Sequence, residues 1–363
     1  MKTDTLKPSQ VMTILAVASL GIDILIEQNS MVSYAGRDAW ISLLLGGITG
    51  ILFGSIMYFL ASAYPGKSFP EIAVDICGRF IGRLFMLPVL IYILLHAGLS
   101  INIFAQTIKM FLLDRTPMYA IVAVMAAVAV YAVYKGIFTL SGVIDIIFPL
   151  AVITIAALIL ISLQQAEVEN IFPILYKSHM KVLRGSFFGL LHFPGFGHVA
   201  YLLCYAQDSK VSIKWYIIGT AIPVVLATAL TLVTIMVFNP LGIESLLFPT
   251  LTLSKSIEFP VTFLERLESI VAVLWISIAF GSISLFTFVS VQNFLIFFGR
   301  KSEKYVTLAH FPLLMIVALF IKNGMKVIEY YLELKYLLAA FVFIFSPMLA
   351  VLSVFQKRRQ IRN

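Results

Sequence analysis

The sequence predicts an all-α polytopic membrane protein with ten transmembrane segments, and three observations carry that prediction. Of the 363 residues, 61% are hydrophobic and 12% are charged, whereas soluble domains carry about 25% charged residues. Apolar runs that reach or approach the roughly 20 residues of a membrane-spanning helix recur along the whole chain. Gly, Pro and charged residues separate those runs.

The ten runs divide into two equal halves. We place the segments, in order, at residues 9–33, 39–64, 82–112, 117–134, 142–163, 185–205, 212–238, 260–297, 305–321 and 333–355. Residues 1–163 hold the first five and residues 185–355 hold the second five, within one integral membrane domain. Because five is odd, the two halves have opposite orientations, so a structural relation between them would be an inverted repeat.

The distribution of Lys and Arg predicts which side the termini occupy. Fifteen of these residues fall at the termini and in the loops on the same side, and ten fall on the other side. Because cytoplasmic loops carry the excess of positive charge, we expect both termini in the cytoplasm. The basic tail at residues 356–363 is then expected to lie on the membrane surface.

Segment 6 contains a pattern that breaks a helix. The stretch 185–205 reads GSFFGLLHFPGFGHVAYLLCY, in which a proline removes an amide donor and two nearby glycines remove the side chains that stiffen a helix. In hydrocarbon, an open backbone is tolerated only where it faces protein or a wet cavity. We expect such a cavity here, and a single kinked helix is the alternative.

Segment 1 carries a similar interruption of small and polar residues, from Ser19 to Asp23. Two interrupted helices at matching positions of two halves are typical of a transporter binding site. We therefore expect the ligand to meet both interruptions. The candidate contact residues are Ser19, Leu20, Gly21, Asp23, Phe193, Pro194, Gly195, Phe196 and Gly197.

Charged and imidazole side chains near these interruptions are candidates for specific roles. Asp23 and Glu27 lie four residues apart on one helix face, where Asp23 could meet a ligand ammonium or a proton and Glu27 could act at a gate. A satisfied helix-end acid and a rim residue are the alternatives. His192 and His198 flank the second interruption as gate or hydrogen-bonding residues, or as packed histidines.

Two further clusters are weaker candidates. Asn102 and Gln106 share a face of segment 3 and could contact a ligand, although hydrogen bonding between helices explains them better. Near the start of segment 8, Arg266 needs a carboxylate, which Glu265, Glu268 or Asp23 could supply. We favour a structural ion pair there.

The sequence lacks the usual signs of an enzyme. It has no Walker loop, nucleophile elbow or zinc-type spacing, so we expect no catalytic residues, metal or cofactor. The scattered basic residues give no indication of nucleic-acid binding. Cys77 and Cys204 are too few for a disulfide framework.

Six short motifs give the chain a family resemblance over its whole length. In the order and spacing found here, they resemble the B subunit of the spore germinant receptors (the GerAB type), in the amino acid/polyamine/organocation transporter superfamily. The motifs are Ala35–Trp40, Leu112–Pro117, Tyr131–Gly136, Asn170–Pro173, Phe248–Thr250 and Phe263–Glu268.

The resemblance implies a fold and a function. It implies a LeuT-like fold with segments 1 and 6 unwound around a small amino-acid-like nutrient, whose binding triggers spore germination. It also implies an A subunit and a lipoprotein C subunit as partners, in the spore inner membrane. A proton-coupled amino acid permease is the alternative, and a scaffold with a vestigial pocket is a third.

Overall fold

The computed structural model of the chain describes residues 5–176, 179–206, 212–256, 267–299 and 302–362, with side chains except at 267–272 and 357–362. The described residues are almost entirely helical. The helices are α1 (Pro8–Leu20), α2 (Asp23–Ala35), α3 (Ala39–Ser62), α4 (Phe69–Cys77), α5 (Arg79–Phe111), α6 (Met118–Tyr134), α7 (Ile137–Ser162), α8 (His179–Leu190), α9 (Val199–Leu202), α10 (Ile213–Glu244), α11 (Pro249–Ser256), α12 (Leu267–Phe297), α13 (Glu303–Phe320), α14 (Gly324–Ala340) and α15 (Ser346–Arg362).

Each predicted segment coincides with one helix or with a broken pair of helices. Among the described residues, seven helices are long and apolar enough to cross a membrane, or eight if α8 and the helical turns after it form one span. The shorter apolar helices α1 and α6 account for the remaining runs. An all-α membrane protein is therefore confirmed, while the count of ten spans and the inverted repeat stay predictions.

Both predicted interruptions are present. Segment 1 is divided into α1 and α2 by Gly21 and Ile22, where Gly21 leaves the helical region with φ −44° and ψ −131°. Segment 6 is divided after α8, and the chain resumes as a tight 3₁₀ turn at Pro194–His198 followed by α9. The two parts of segment 6 are bent by 41°. The prediction that these two helices are not continuous is confirmed.

Two other segments depart from regular helix. Helix α10 is kinked at Asn239, which has φ 54° and ψ 168° and precedes Pro240. Between α14 and α15, residues Phe341–Phe345 form a π-helical turn. Such turns occur often at functional sites, and this one lies beside the cavity described below.

Helix α1 lies at the centre of the molecule. Every residue from Thr13 to Leu20 is buried, and the helix packs against α7, α10, α12 and the Pro194–His198 turn. Helix α7 instead exposes one apolar stripe, in which Ile146, Ile153 and Leu160 are each about two-thirds exposed. A central helix with apolar residues on every side and outer helices with exposed apolar stripes are expected where lipid replaces water.

The start of α1 is fixed to neighbouring segments by a backbone hydrogen bond and by ring contacts. Leu6 donates its backbone N–H to the carbonyl oxygen of Tyr205 at 2.8 Å, so the chain start is tied to the end of segment 6. The Tyr205 ring packs against Phe138 of α7 and Phe288 of α12. The first half of segment 1 is thereby held among segments 5, 6 and 8.

Candidate functional site

The two interruptions touch each other. A Cβ atom at Gly195 would lie 2.7 Å from the backbone nitrogen of Ser19, so only glycine allows this approach. At Gly21, a Cβ atom would overlap the side chain of Ser282 on α12. The Ser282 hydroxyl donates to the carbonyl oxygen of Ala18 at 3.4 Å. The close contact of segments 1, 6 and 8 at this level therefore depends on two glycines.

A cavity of about 60 Å³ opens on the other side of the segment 6 interruption. Gly197 borders it, and a Cβ atom there would meet no atom within 4 Å. The space would hold about four water molecules, since each needs roughly 15 Å³ by this measure. The cavity is small, and the aromatic and apolar groups that border it include Phe193, Phe196, His198, Tyr92, Phe286 and Phe341.

A buried ion pair lies next to the interruption of segment 1. Lys335 Nζ on α14 is 2.9 Å from Asp23 Oδ1, and the two residues are 5% and 2% exposed. The Tyr331 hydroxyl donates to Asp23 Oδ2 at 2.9 Å and lies 2.8 Å from His96 Nε2 on α5. Asp23 is the first residue of α2, where a negative charge is favoured by the helix dipole. Segments 1, 3 and 10 therefore meet at this carboxylate.

The position of Lys335 differs from the one that the sequence predicts. The count of Lys and Arg treats it as a loop residue, but the structure places it inside α14 and buries it, so ten residues on that side become nine. The sequence allows Asp23 as a partner for Arg266, but the structure pairs Asp23 with Lys335. Lys335 falls inside the predicted tenth segment, and a charge inside a span is the signal that could have found it.

Glu27 and Gln28 continue this buried polar region along α2. Glu27 is 1% exposed and its Oε1 has no hydrogen-bond partner among the described residues. Gln28 is fully buried, and neither polar atom of its side chain has a described partner. A buried carboxylate or amide without a partner costs several kcal/mol. These groups therefore have unused hydrogen-bonding capacity, although neither residue borders the cavity at Gly197.

The two predicted gate histidines have different surroundings. His192 Nε2 lies 2.8 Å from the Ser30 hydroxyl, and its Nδ1 lies 2.9 Å from the Phe188 carbonyl oxygen. His198 borders the cavity, and its Nε2 has no described partner. Phe286 lies between the Asp23 ion pair and the cavity. Its ring stacks on His96 with the ring centroids 4.0 Å apart and meets His198 edge-on at 4.6 Å.

Asn102 bonds to the end of another helix, and Gln106 bonds to Asn102. Asn102 Nδ2 donates to the carbonyl oxygens of Ala318 and Ile321 at the C-terminus of α13, and Gln106 Nε2 donates to Asn102 Oδ1. These contacts satisfy carbonyls that a helix end leaves open. The Asn102 bonds are of the interhelical kind that the sequence favoured, whereas the Gln106 bond lies within α5. The role of both residues as ligand contacts stays a prediction.

We expect Asn102→Ala to lower the free energy of unfolding by about 1–3 kcal/mol, because it leaves the α13 carbonyls without a donor. Thr107→Ala is the matched control, since the Thr107 hydroxyl donates to the Ile103 carbonyl oxygen in its own helix and bonds to no other helix among the described residues. Equilibrium unfolding in mixed micelles would measure both variants. Equal losses in the two would contradict the assigned cap.

The predicted cluster near the start of segment 8 is described only in part. Glu265 and Arg266 lie outside the described residues. Glu268 belongs to α12, but its side chain is not described. The predicted ion pair at this position therefore stays a prediction.

A polar cluster near the start of α1 is not among the features predicted from the sequence. Asp145 of α7 accepts hydrogen bonds from Thr13 Oγ1 at 2.7 Å and Gln10 Nε2 at 3.2 Å. Gln10 also donates to the Ser141 hydroxyl at 3.2 Å. These bonds fasten the first half of segment 1 to segment 5. An acid inside an apolar run was the available signal.

Comparison with known proteins shows similarity over nearly the whole chain. Residues 5–327 match a family model described as Spore germination protein. Spore germination protein YndE of Bacillus subtilis (strain 168) is 30% identical over 249 residues, which cover 68% of each chain. Spore germination protein KB of the same strain is 25% identical over 365 residues, 97% of this chain and 95% of that protein.

The fold is similar to that of solved transporters. The crystal structure of MhsT in complex with L-phenylalanine matches with a TM-score of 0.64 at 14% identity, over 94% of this chain and 88% of that one. MhsT is a LeuT-fold transporter. The predicted LeuT-like architecture is therefore confirmed at the level of the fold.

Proposed function

The chain belongs to the family of spore germination proteins, and from that membership we propose that it is the nutrient-binding membrane subunit of a spore germinant receptor. The observation that carries the proposal is the contact of two interrupted helices beside a small cavity. Buried polar groups without a described partner lie at the border of this cavity, on Tyr92 and His198, and along α2, on Glu27 and Gln28. A transporter-like fold with such a site can bind a small polar molecule in mid-membrane. Ligand binding would then be passed to partner proteins and trigger germination.

The chemistry of the interruptions supports an amino-acid-like nutrient. The first amides of α2 have no partner within their helix and carry a partial positive charge, which suits a carboxylate. Asp23 was predicted to meet the ligand ammonium, but Lys335 already occupies that carboxylate. Glu27, one helical turn further and without a described partner at Oε1, is the carboxylate that remains for the ammonium.

We place the subunit in the spore inner membrane with both termini in the cytoplasm. Its proposed partners are an A-type subunit and a lipoprotein C-type subunit of the receptor. The permease is the second candidate, and the similarity to the L-phenylalanine complex of MhsT favours it. Uptake of labelled amino acid into proteoliposomes of this chain alone, abolished by a protonophore, would decide for the permease.

In spores that carry this chain as their one B-type subunit, an amino acid should trigger germination. We expect Glu27→Gln to raise the half-maximal nutrient concentration by about tenfold or more, because a hydrogen bond to a charged group contributes about 1.5–3 kcal/mol. Release of dipicolinic acid against nutrient concentration would measure the response.

Glu333→Gln is the matched control, since Glu333 is an exposed acid of α14. Its dose-response should equal that of the unaltered chain. A germination response to amino acids that Glu27→Gln leaves unshifted would contradict the role of Glu27. No response to any amino acid would contradict the proposed function itself.

A further inference from the structure

A second cavity lies away from the interruptions, at a corner where the loop after α3, helix α4, the start of α5 and the end of α12 meet. Its volume is about 460 Å³, within the range of about 300–1,000 Å³ typical of small-molecule sites. It is bordered by charged side chains, namely Lys67, Glu71, Asp75, Arg79 and Arg83. Five charged side chains around one cavity are unusual in a chain of which 12% of the residues are charged.

The two carboxylates of this corner are already engaged. Asp75 forms an ion pair with Lys67. Glu71 accepts hydrogen bonds at 3.0 Å from both the backbone nitrogen and the hydroxyl of Ser68, which caps α4. Both carboxylates therefore already have partners.

The two guanidinium groups are not engaged in the part of the chain that the structure describes. No hydrogen bond or ion pair joins Arg79 or Arg83 to a described residue, and the Nε atom of Arg83 is buried without an acceptor. Arg83 packs against Gly299 at the end of α12, where a Cβ atom would lie 3.1 Å from its Nη2. A guanidinium stays charged and has five donors, so these two groups together can bind an anion with several acceptor oxygens.

The backbone adds to the positive charge. Helix α5 begins at Arg79, so its first amides and the positive end of its dipole lie at the same corner. Three basic and two acidic side chains border the cavity, which leaves a net charge of +1 before the helix end is counted. Phosphate oxygens are the acceptors that arginine and helix N-termini bind best.

The outward side of the same turn of α5 is apolar. Phe80, Ile81 and Leu84 are 81%, 60% and 58% exposed. They alternate with Arg79 and Arg83 along the helix, so anion donors and lipid-facing groups occupy one turn. A phospholipid at the membrane boundary has the same arrangement of a charged head above apolar tails.

The end of the chain comes to this corner as well. Gln356 Nε2 of α15 donates to the carbonyl oxygen of Asp75 at 3.2 Å. The sequence that follows, residues 357–362, is KRRQIR. The most basic stretch of the chain therefore starts beside the cavity, where it raises the local concentration of anionic lipid.

We propose that this corner binds a phosphate-bearing anion through Arg79 and Arg83. The apolar turn of α5 favours the headgroup of an anionic phospholipid as the occupant, and free phosphate is the other source of the same chemistry. The bound headgroup joins the start of α5 to the end of α12. The site is independent of the nutrient cavity and of the proposed receptor function.

The test uses the purified full-length chain in neutral detergent, with its melting temperature as the readout. Dioleoyl phosphatidylglycerol should raise the melting temperature more than dioleoyl phosphatidylcholine. In Arg79→Gln/Arg83→Gln, the half-maximal concentration of phosphatidylglycerol should increase at least about tenfold, because a hydrogen bond to a charged group contributes about 1.5–3 kcal/mol. Lys135→Gln, an exposed basic residue outside the cavity, should leave it unchanged.

A second arm adds inorganic phosphate instead of lipid. Stabilisation by phosphate that requires both arginines assigns the site to the free anion, and stabilisation by phosphatidylglycerol alone assigns it to the headgroup. The same lipid effect in the double variant, or an equal loss in Lys135→Gln, would overturn the proposal. Arg79→Gln alone, at an exposed position, provides the comparison if the double variant does not fold.

Discussion

Replacement of Lys335 by methionine should lower the free energy of unfolding by about 3–5 kcal/mol, because it leaves the buried Asp23 carboxylate without its cation. Among the described residues, that carboxylate would keep the Tyr331 hydroxyl at 2.9 Å and the His96 imidazole at 3.7 Å, and neither carries a fixed positive charge. Nutrient response should be lost as well, since α2 and α14 would no longer be joined at the interruption of segment 1. Unfolding in mixed micelles and germination of spores would measure the two effects.

A double variant separates charge from packing. Asp23→Asn/Lys335→Met removes both charges, and its stability should recover most of the loss, since neutral replacement of a buried pair is often tolerated. Lys326→Met is the matched control, because Lys326 is an exposed residue of the same helix. If Lys326→Met were as destabilising as Lys335→Met, the ion pair could not be the cause.

Gly197→Leu should abolish the nutrient response while the protein stays folded in the membrane. A Cβ atom at Gly197 meets nothing within 4 Å, so a leucine side chain would extend into the open space and fill the cavity of about 60 Å³. The melting temperature should change little, and the germination dose-response should be flat.

Two other glycine variants serve as a control and as a second test of the site. Gly142→Leu places the same side chain at an exposed glycine of α7 with open space around it, and its response should be normal. Gly21→Leu should also abolish the response, but through the overlap with Ser282 on α12, so we expect a loss of stability in addition. A normal dose-response in both Gly197→Leu and Gly21→Leu would contradict the site.

The features that the sequence could predict are those with a local cause. Each interrupted stretch combines several small, polar or helix-breaking residues, so the interruptions at residues 21–22 and after Leu190 could be predicted from short stretches of sequence. An isolated proline does not have this effect, because Pro88 lies within the continuous helix α5. The family resemblance, based on six short motifs, is confirmed by the match over residues 5–327. Asp23 was selected because a charge inside a span is rare.

The features that the sequence could not predict depend on which helices become neighbours. Phe286 has no local signal, yet it packs between His96 and His198. The partner of Asp23 is 312 residues away in α14, and only the packing of segments 1, 3 and 10 brings them together. The arginines of the second cavity stand in a loop-to-helix junction that the charge count treated as a cytoplasmic surface.

Ligand binding by the purified chain tests the account most directly. At a hundredfold excess over the dissociation constant, an amino acid that binds the folded protein should stabilise it by about 2.7 kcal/mol. We expect at least one L-amino acid to raise the melting temperature of the unaltered chain and of Gly142→Leu, and to leave that of Gly197→Leu unchanged. An equal rise in Gly197→Leu, or no rise with any amino acid, would contradict a nutrient site at the paired interruptions.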